Sequence, residues 1–371
     1  MSRVYLDWNA TAPLRPEARA AMIAAMDVVG NPSSVHAEGR AAKALMEKAR
    51  GQVADLVGCE PSEIVFTSGA TEAASLIVRD LSQGFVHVSP VEHDCFANAD
   101  TLSTLAVSCS GLLNTAAAWS VDKGGAPRRG DLIVLPCANS ETGIRDDTLA
   151  LARSFRSGRG AYIATDMTQA AAKTEVYFSS IRVDAAAMSS HKIGGPKGVG
   201  ALLVLSHLDL HSSGGGQEMG RRSGTENVIG IAGFGAAAEA ARRDLEGGVW
   251  ERVAELRNIL ETALEAEADD LIIFGKDVAR LPNTSCFAIP GWKGETQVMQ
   301  MDLAGYAVSA GSACSSGKVK ESRVLRAMGF DSVTAFSAIR VSLGPTTTEA
   351  EVLGFIDAWV GAYRRWKARA A

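Results

Sequence analysis

The chain has 371 residues, 47% hydrophobic and 21% charged, with a formal net charge of −5. That is a globular composition, long enough for a large core and two domains. It gives no footing to nucleic acid, whose binders carry a concentrated basic face, and no apolar run approaches the roughly 20 residues that span a bilayer.

The opening MSRVYLDWNATAPLRP lacks the basic-then-apolar layout of a signal peptide. From about residue 60 to 205, short apolar runs alternate with helical patterns. IVF (64–66), FVHV (85–88), LIVL (132–135), YIAT (162–165), AAAM (185–188) and ALLVL (201–205) read as buried strands. Between them TEAASLIVRDL, CFANADTLSTLA and DDTLALARSFRS have helical spacing. Such alternation predicts an α/β fold with a mostly parallel sheet covered on both faces. After Gly215 come the alanine-rich NVIGIAGFGAAAEAARRDL and the helix WERVAELRNILETALEAEA. Strand-like LIIF, CFAI, YAVSA and AIRVSL follow, which suggests a smaller α+β domain beginning near residues 245–250. The terminal basic cluster YRRWKARAA reads as a solvated helix end. Six scattered cysteines (Cys59, Cys95, Cys109, Cys137, Cys286, Cys314) include no Cys-x-x-Cys pair. That argues against structural zinc and a disulfide framework, and for a reducing cytoplasm.

Ligands of parallel α/β sheets bind at the carboxyl ends of the strands. After IVF comes TSGATE, whose helix-opening N–H groups suit a phosphate, or simply start a helix. After FVHV lies His93, a ring ligand or a loop histidine bonded to its backbone. PCANSETG then offers Asn139, Ser140 and Glu141. Asp166, ending a buried strand, is costly unless a cation meets it, and Gln169 follows three residues on. Lys192 sits after DAAAM in SSHKIGGPKGVGALLV, with Lys197 as the other candidate lysine. A phosphate cradle, an imidazole, an aspartate and a lysine on one sheet match the needs of pyridoxal 5'-phosphate. Its aldehyde condenses with a lysine amine, and an aspartate keeps its ring nitrogen protonated. Neither a Gly-x-Gly-x-x-Gly fingerprint nor a Gly-Lys-Ser/Thr phosphate loop competes.

YLDWNATAP, NPSSVH, FTSGATE, EH, TDMTQ, SSHKIGGPKGVGAL, GGGQEMGRRSGTEN, SAGSACSSG and AIRVSLG occur in this order along nearly the whole chain. In this the sequence resembles the fold-type I, class V aminotransferase-like enzymes, and within them the NifS/IscS-type cysteine desulfurases. The resemblance implies a large cofactor domain (15–248) built on a mostly parallel seven-stranded sheet. Residues 1–14 and 249–371 would then form a small domain carrying the catalytic-cysteine loop. It implies Lys192 as the cofactor-holding lysine, Asp166 on the pyridine nitrogen, Gln169 on the ring hydroxyl and His93 as a catalytic residue that stacks on the ring and handles protons. Ala70, Thr71, Ser189 and His191 would surround the phosphate, joined by Thr225 of a neighbouring subunit, hence a homodimer. Arg340 would clamp the substrate carboxylate, with Asn9 and Asn139 at the same site.

Cys314 lies in SAGSACSSG, a polar turn of small residues unlike the setting of a buried cysteine. The resemblance implies that it takes sulfur from L-cysteine as a persulfide, leaving L-alanine. An acceptor or iron–sulfur scaffold protein would receive that sulfur, with Lys318 and Lys320 close behind on the delivery loop. The alternatives are a selenocysteine lyase or a class V aminotransferase using the same cofactor. The usual Asn-Asn-Glu of the family reads Asn139-Ser140-Glu141 here, so either Asn139 or Ser140 contacts the cofactor. The aromatic that follows Lys-Ile in the family is Gly194.

Overall fold

The computed structural model describes residues 3–96, 102–114, 126–156, 160–208, 210, 214–311 and 321–370. The chain opens with β1 (Val4–Tyr5), α1 (Pro16–Ala25) and α2 (Ala37–Val57). Proline starts α1, and the His36 ring caps α2 by accepting from the Gly39 N–H. α2 stops at Gly58, whose φ of 62° is left-handed and where a Cβ would meet the Tyr177 side chain at 2.9 Å.

Next come β2 (Ile64–Thr67), α3 (Ala70–Leu81), β3 (Val86–Val88), β4 (Leu102–Thr104), β5 (Leu132–Leu135) and α4 (Thr148–Phe155). β6 (Tyr162–Asp166), α5 (Phe178–Ile181), β7 (Ala185–Ser189), β8 (Gly200–Val204) and α6 (Val228–Glu246) follow. The strands make a seven-stranded sheet in the order β2-β8-β7-β6-β5-β3-β4. From β4 to β7 every pairing is parallel, and β8 alone runs antiparallel to both its neighbours.

The seventh strand corrects the sequence reading. CFANADTLSTLA was expected to be helical, yet Leu102–Thr104 pairs with Val86–Val88. Leu102 and Leu105 three apart imitate a helical stripe, and a run this short does not discriminate the two periods.

Alternate strand residues face opposite layers, and both layers are apolar. Phe66, Ile133, Leu135, Ile163, Met188 and Leu203 pack under α2, α4 and α6. Val65, Val86, Val88, Val134, Leu202 and Val204 pack against α3. Burial on both faces is why LIVL and ALLVL are continuous rather than alternating. The small residues of α6 let it lie close on α2, since a Cβ on Gly235 would stand 2.6 Å from Ala49 Cα.

Gly247 and Gly248 separate α6 from α7 (Val249–Glu267). Then follow β9 (Ile272–Ile273), β10 (Thr284–Ala288), α8 (Gly294–Leu303), β11 (Tyr306–Ala307) and β12 (Ser309–Ala310). α9 (Arg323–Ala327), α10 (Ser332–Ser337), β13 (Ala338–Ser342) and α11 (Glu349–Ala370) complete the chain. The antiparallel sheet β12-β13-β10-β9 shares a second core with α7 and α11, built on Trp250, Phe287, Trp292, Phe355, Trp359 and Tyr363. YAVSA, expected as one strand, is split: β11 pairs with β1 in parallel, and β12 pairs with β13. The β1 pairing buries Leu6 in this second core. It thereby delivers Asp7 to Ala10 to the carboxyl edge of the large sheet, where Asn9 meets Gln169 and Lys192.

Candidate active site

The register sets Thr67, Gly200 and Ser189 side by side, so the loops after β2 and β7 converge. Only glycine fits between them. A Cβ on Gly200 would lie 2.5 Å from the Met188 carbonyl and 2.6 Å from Gly69 Cα. α3 begins at Ala70 and Thr71 behind Gly69, with no side chain capping it. First-turn N–H groups at a positive helix end suit a phosphate, and the Ser189 hydroxyl stands 3.9 Å from where a Cβ on Gly69 would lie. His191 follows Ser189 by two residues, with Nδ1 3.1 Å from Thr11 Oγ1. Burial, then Lys192 and Lys197, push its pKa down to about 4, so the ring is neutral.

Lys192 donates to the Asn9 and Ala10 carbonyls at 2.6 and 2.9 Å. Burial foremost, then Arg340, lower its pKa to about 8 against the opposing pull of Asp166 and Asp7. At pH 7 about one Lys192 in ten is then the free amine, against fewer than about one in a thousand for an ordinary lysine. Lys197 is exposed, whereas Lys192 is partly buried.

Asp166 ends β6, and its Oδ1 accepts the Thr168 N–H at 2.8 Å. His93 accepts the Cys95 N–H on Nδ1 at 3.2 Å, a backbone bond of the kind a loop histidine makes. Its ring still reaches Asp166: ligand atoms of His93, Cys95 and Asp166 all lie within 4.8 Å of one another. Gln169 is buried, with Nε2 donating to the Asn9 carbonyl at 2.9 Å. An aspartate for a ring nitrogen, an amide for a ring hydroxyl, an uncapped helix start and an activated lysine fit pyridoxal phosphate together.

Arg340 is buried on β13 and bonds Asp7 Oδ1 at 2.7 Å and the Ser140 carbonyl at 2.9 Å. Its Nε is buried and has no hydrogen-bond partner among the described residues. A carboxylate would satisfy that N–H. Asn139 spends its amide on its own turn: Oδ1 accepts from the Glu141 and Thr142 N–H groups, and Nδ2 donates to the Val91 carbonyl at 2.7 Å. The Asn9 side chain is likewise engaged, donating to Thr284 Oγ1 at 2.8 Å and accepting from Lys173 at 2.9 Å. Thr225 is exposed in the loop before α6. Cys314, Lys318 and Lys320 lie outside the described residues.

Sequence reasoning missed four neighbours. Asp7 holds Arg340; Cys95 stands 4.0 Å from Asp166 Oδ2; Glu92 is buried with a pKa raised to about 8, by burial first and Asp166 second; Lys173 bonds Gln169. Only Lys173 left a signal, lying four residues after Gln169.

Residues 4–355 match the family described as aminotransferase class-V. A cysteine desulfurase of Cereibacter sphaeroides is 40% identical over 370 residues, covering 95% of this chain and 93% of that one. The solved NifS-like protein of Rickettsia africae superposes with a TM-score of 0.88 at 31% identity, covering 98% of this chain and 99% of that one. A structure described as SspA in complex with cysteine gives 0.77 at 27% identity, covering 93% and 100%. The chain belongs to the class-V aminotransferase family, among its NifS-like cysteine desulfurases.

Proposed function

We propose that the chain uses pyridoxal 5'-phosphate to convert L-cysteine to L-alanine, with its sulfur passing to Cys314 and then to an acceptor protein. The observation that carries this reading is Lys192: an amine at a strand end whose only hydrogen-bond acceptors among the described residues are main-chain carbonyls, and whose pKa is lowered to about 8. When bound, the cofactor draws electrons from the substrate carbons and so lowers the barrier to losing a proton there. Ala70, Thr71, Ser189 and His191 hold its phosphate, with Thr225 from a second copy. Asp166 keeps its ring nitrogen protonated, Gln169 donates to its ring hydroxyl, and His93 covers the ring.

Arg340 orients the substrate carboxylate, while Asn9 and Asn139, whose amides are committed to protein partners, frame that end of the site. Lys192 takes the proton from the substrate α-carbon and returns protons to carbon. The Cys314 thiolate attacks the substrate sulfur: a sulfur–sulfur bond forms, the carbon–sulfur bond breaks, and its electron pair stays on carbon. That carbon gains a proton and becomes the methyl group of alanine, while the two thiols end as one persulfide. Attack needs the thiolate. Acceptor proteins of iron–sulfur assembly fit a persulfide product.

A second copy is further supported by Ile23, Met26, Val29 and Val35, which are exposed around the α1–α2 connection. A cytoplasmic location fits the free cysteines, and no helix among the described residues is long and apolar enough to cross a membrane.

The test is incubation with L-cysteine and a reductant, alongside Cys314→Ala. The parent should form alanine and sulfide in step and the variant neither, while both bind cofactor. If the variant keeps pace, sulfur does not pass through Cys314, and the lyase or aminotransferase reading replaces this one.

A further inference from the structure

Behind Gln169 lies a lysine that the proposed reaction does not use. Lys173 is only 4% exposed, in a segment that follows β6. Its Nζ donates to Gln169 Oε1 at 2.6 Å and to Asn9 Oδ1 at 2.9 Å, and among the described residues it has no carboxylate partner. The charges that act on it, Lys192 and Arg340, are both positive. A buried ammonium without a counter-ion is costly, and burial first, then Lys192 and Arg340, push the Lys173 pKa well down. Both of its hydrogen bonds are donated, as either form of the amine allows.

The consequence falls on Gln169. A carboxamide can turn end for end at little intrinsic cost, and only its partners decide which end faces where. Lys173 offers a donor, so the amide oxygen turns toward it. The Asn9 carbonyl accepts from Nε2 at 2.9 Å, and among the described residues no acceptor takes the second N–H of that nitrogen. Asn9 itself is pinned by Thr284, Asn283 and the Ser342 hydroxyl, so the frame is rigid.

We propose that Lys173 is a positioning residue that fixes the Gln169 carboxamide with its N–H, not its oxygen, toward the ring hydroxyl of the cofactor. This rests on the cofactor assignment above. An N–H at that place favours the ionised ring oxygen, whereas an amide oxygen would repel it.

The test is a pH titration of the visible absorbance of the cofactor-loaded protein, comparing the parent with Lys173→Met, Gln169→Leu and the double variant. Loss of one such hydrogen bond should move the midpoint of Lys173→Met upward by about 0.5–1 pH unit. If Lys173 acts through Gln169, Lys173→Met should add no further shift in the Gln169→Leu background. A Lys173→Gln variant, which keeps a donor, should recover part of the shift, and it carries the test if the methionine variant does not fold. An unshifted midpoint in Lys173→Met, or full additivity with Gln169→Leu, overturns the proposal. A parent that acquires no visible band with pyridoxal phosphate overturns the cofactor assignment, which is a different failure.

Discussion

Glu218→Ala should destabilise the protein through one ion pair. The Glu218 side chain is fully buried and that of Arg50 is only 5% exposed. The carboxylate receives Arg50 in a fork, at 2.8 and 2.9 Å, and also accepts the Phe66 N–H at 2.7 Å. Glu218 and Met219 hold left-handed φ values of 47° and 58°. Such a backbone costs about 1–3 kcal/mol per residue and persists only where its surroundings impose it. Removing the carboxylate strands Arg50 with the Ile64 carbonyl and the half-exposed Glu47, and orphans the Phe66 N–H. Breaking one side of a buried pair costs about 3–5 kcal/mol. For a domain of this size that lowers Tm by roughly 6–10 °C. Scanning calorimetry on Glu218→Ala, Arg50→Met and Arg50→Met/Glu218→Leu decides it. The double variant should recover much of the loss, because apolar replacements leave no stranded charge. A fall below about 2 °C for Glu218→Ala, or a double variant as weak as the sum of the singles, refutes the reasoning. Cofactor affinity should fall with Tm, since Glu218 ties the loop that leads to Thr225 onto β2, the strand that runs to the proposed phosphate site at Ala70 and Thr71.

Capture of pyridoxal phosphate by stripped protein should speed up about tenfold per pH unit until about pH 8 and then flatten, because the proposed reaction needs Lys192 as the free amine. A midpoint near 10.5, followed by stopped-flow absorbance, would show that burial does not shift Lys192. Arg340→Ala should raise KM for L-cysteine about 10–100-fold, the loss of a charge-assisted bond, with a smaller change in kcat. An unchanged KM removes Arg340 from substrate binding. Gly235→Ala should destabilise by about 1–3 kcal/mol through overpacking against Ala49, whereas Gly51→Ala, with open space around its new Cβ, should stabilise by about 0.5–1 kcal/mol. Urea unfolding of the two variants reads both signs.

The parts of the site that were legible in the sequence are local. LIVL and ALLVL announce strands because both faces of the sheet are buried, and Lys192 stands out as a charge between apolar runs. β4 was misread because three residues cannot show a period. Asp7 was invisible as the partner of Arg340 because nothing in a single chain couples positions 333 apart. Asn9 was visible as a motif residue, yet its work is done largely by a main-chain carbonyl, which no side-chain identity reveals. Asn139 shows the converse: its type signals a polar site, while its amide is committed to the turn that it caps.

The placement of β1 bears on the order in which the molecule becomes competent. Every strand of the large sheet precedes residue 205, so that sheet can assemble while the rest is still being synthesised. Asn9 and Ala10, which receive Lys192, are held by segments made far later: Tyr306 and Ala307 on β11, and the Ser342 hydroxyl 333 positions away. Contacts of such separation form last, because loop closure must precede any gain from them. A chain ending near residue 300 is thus expected to fold its sheet and yet leave the amine unpositioned, which its failure to turn yellow with pyridoxal phosphate would show. On that order the Lys192 amine meets its two carbonyl acceptors only when synthesis is almost complete.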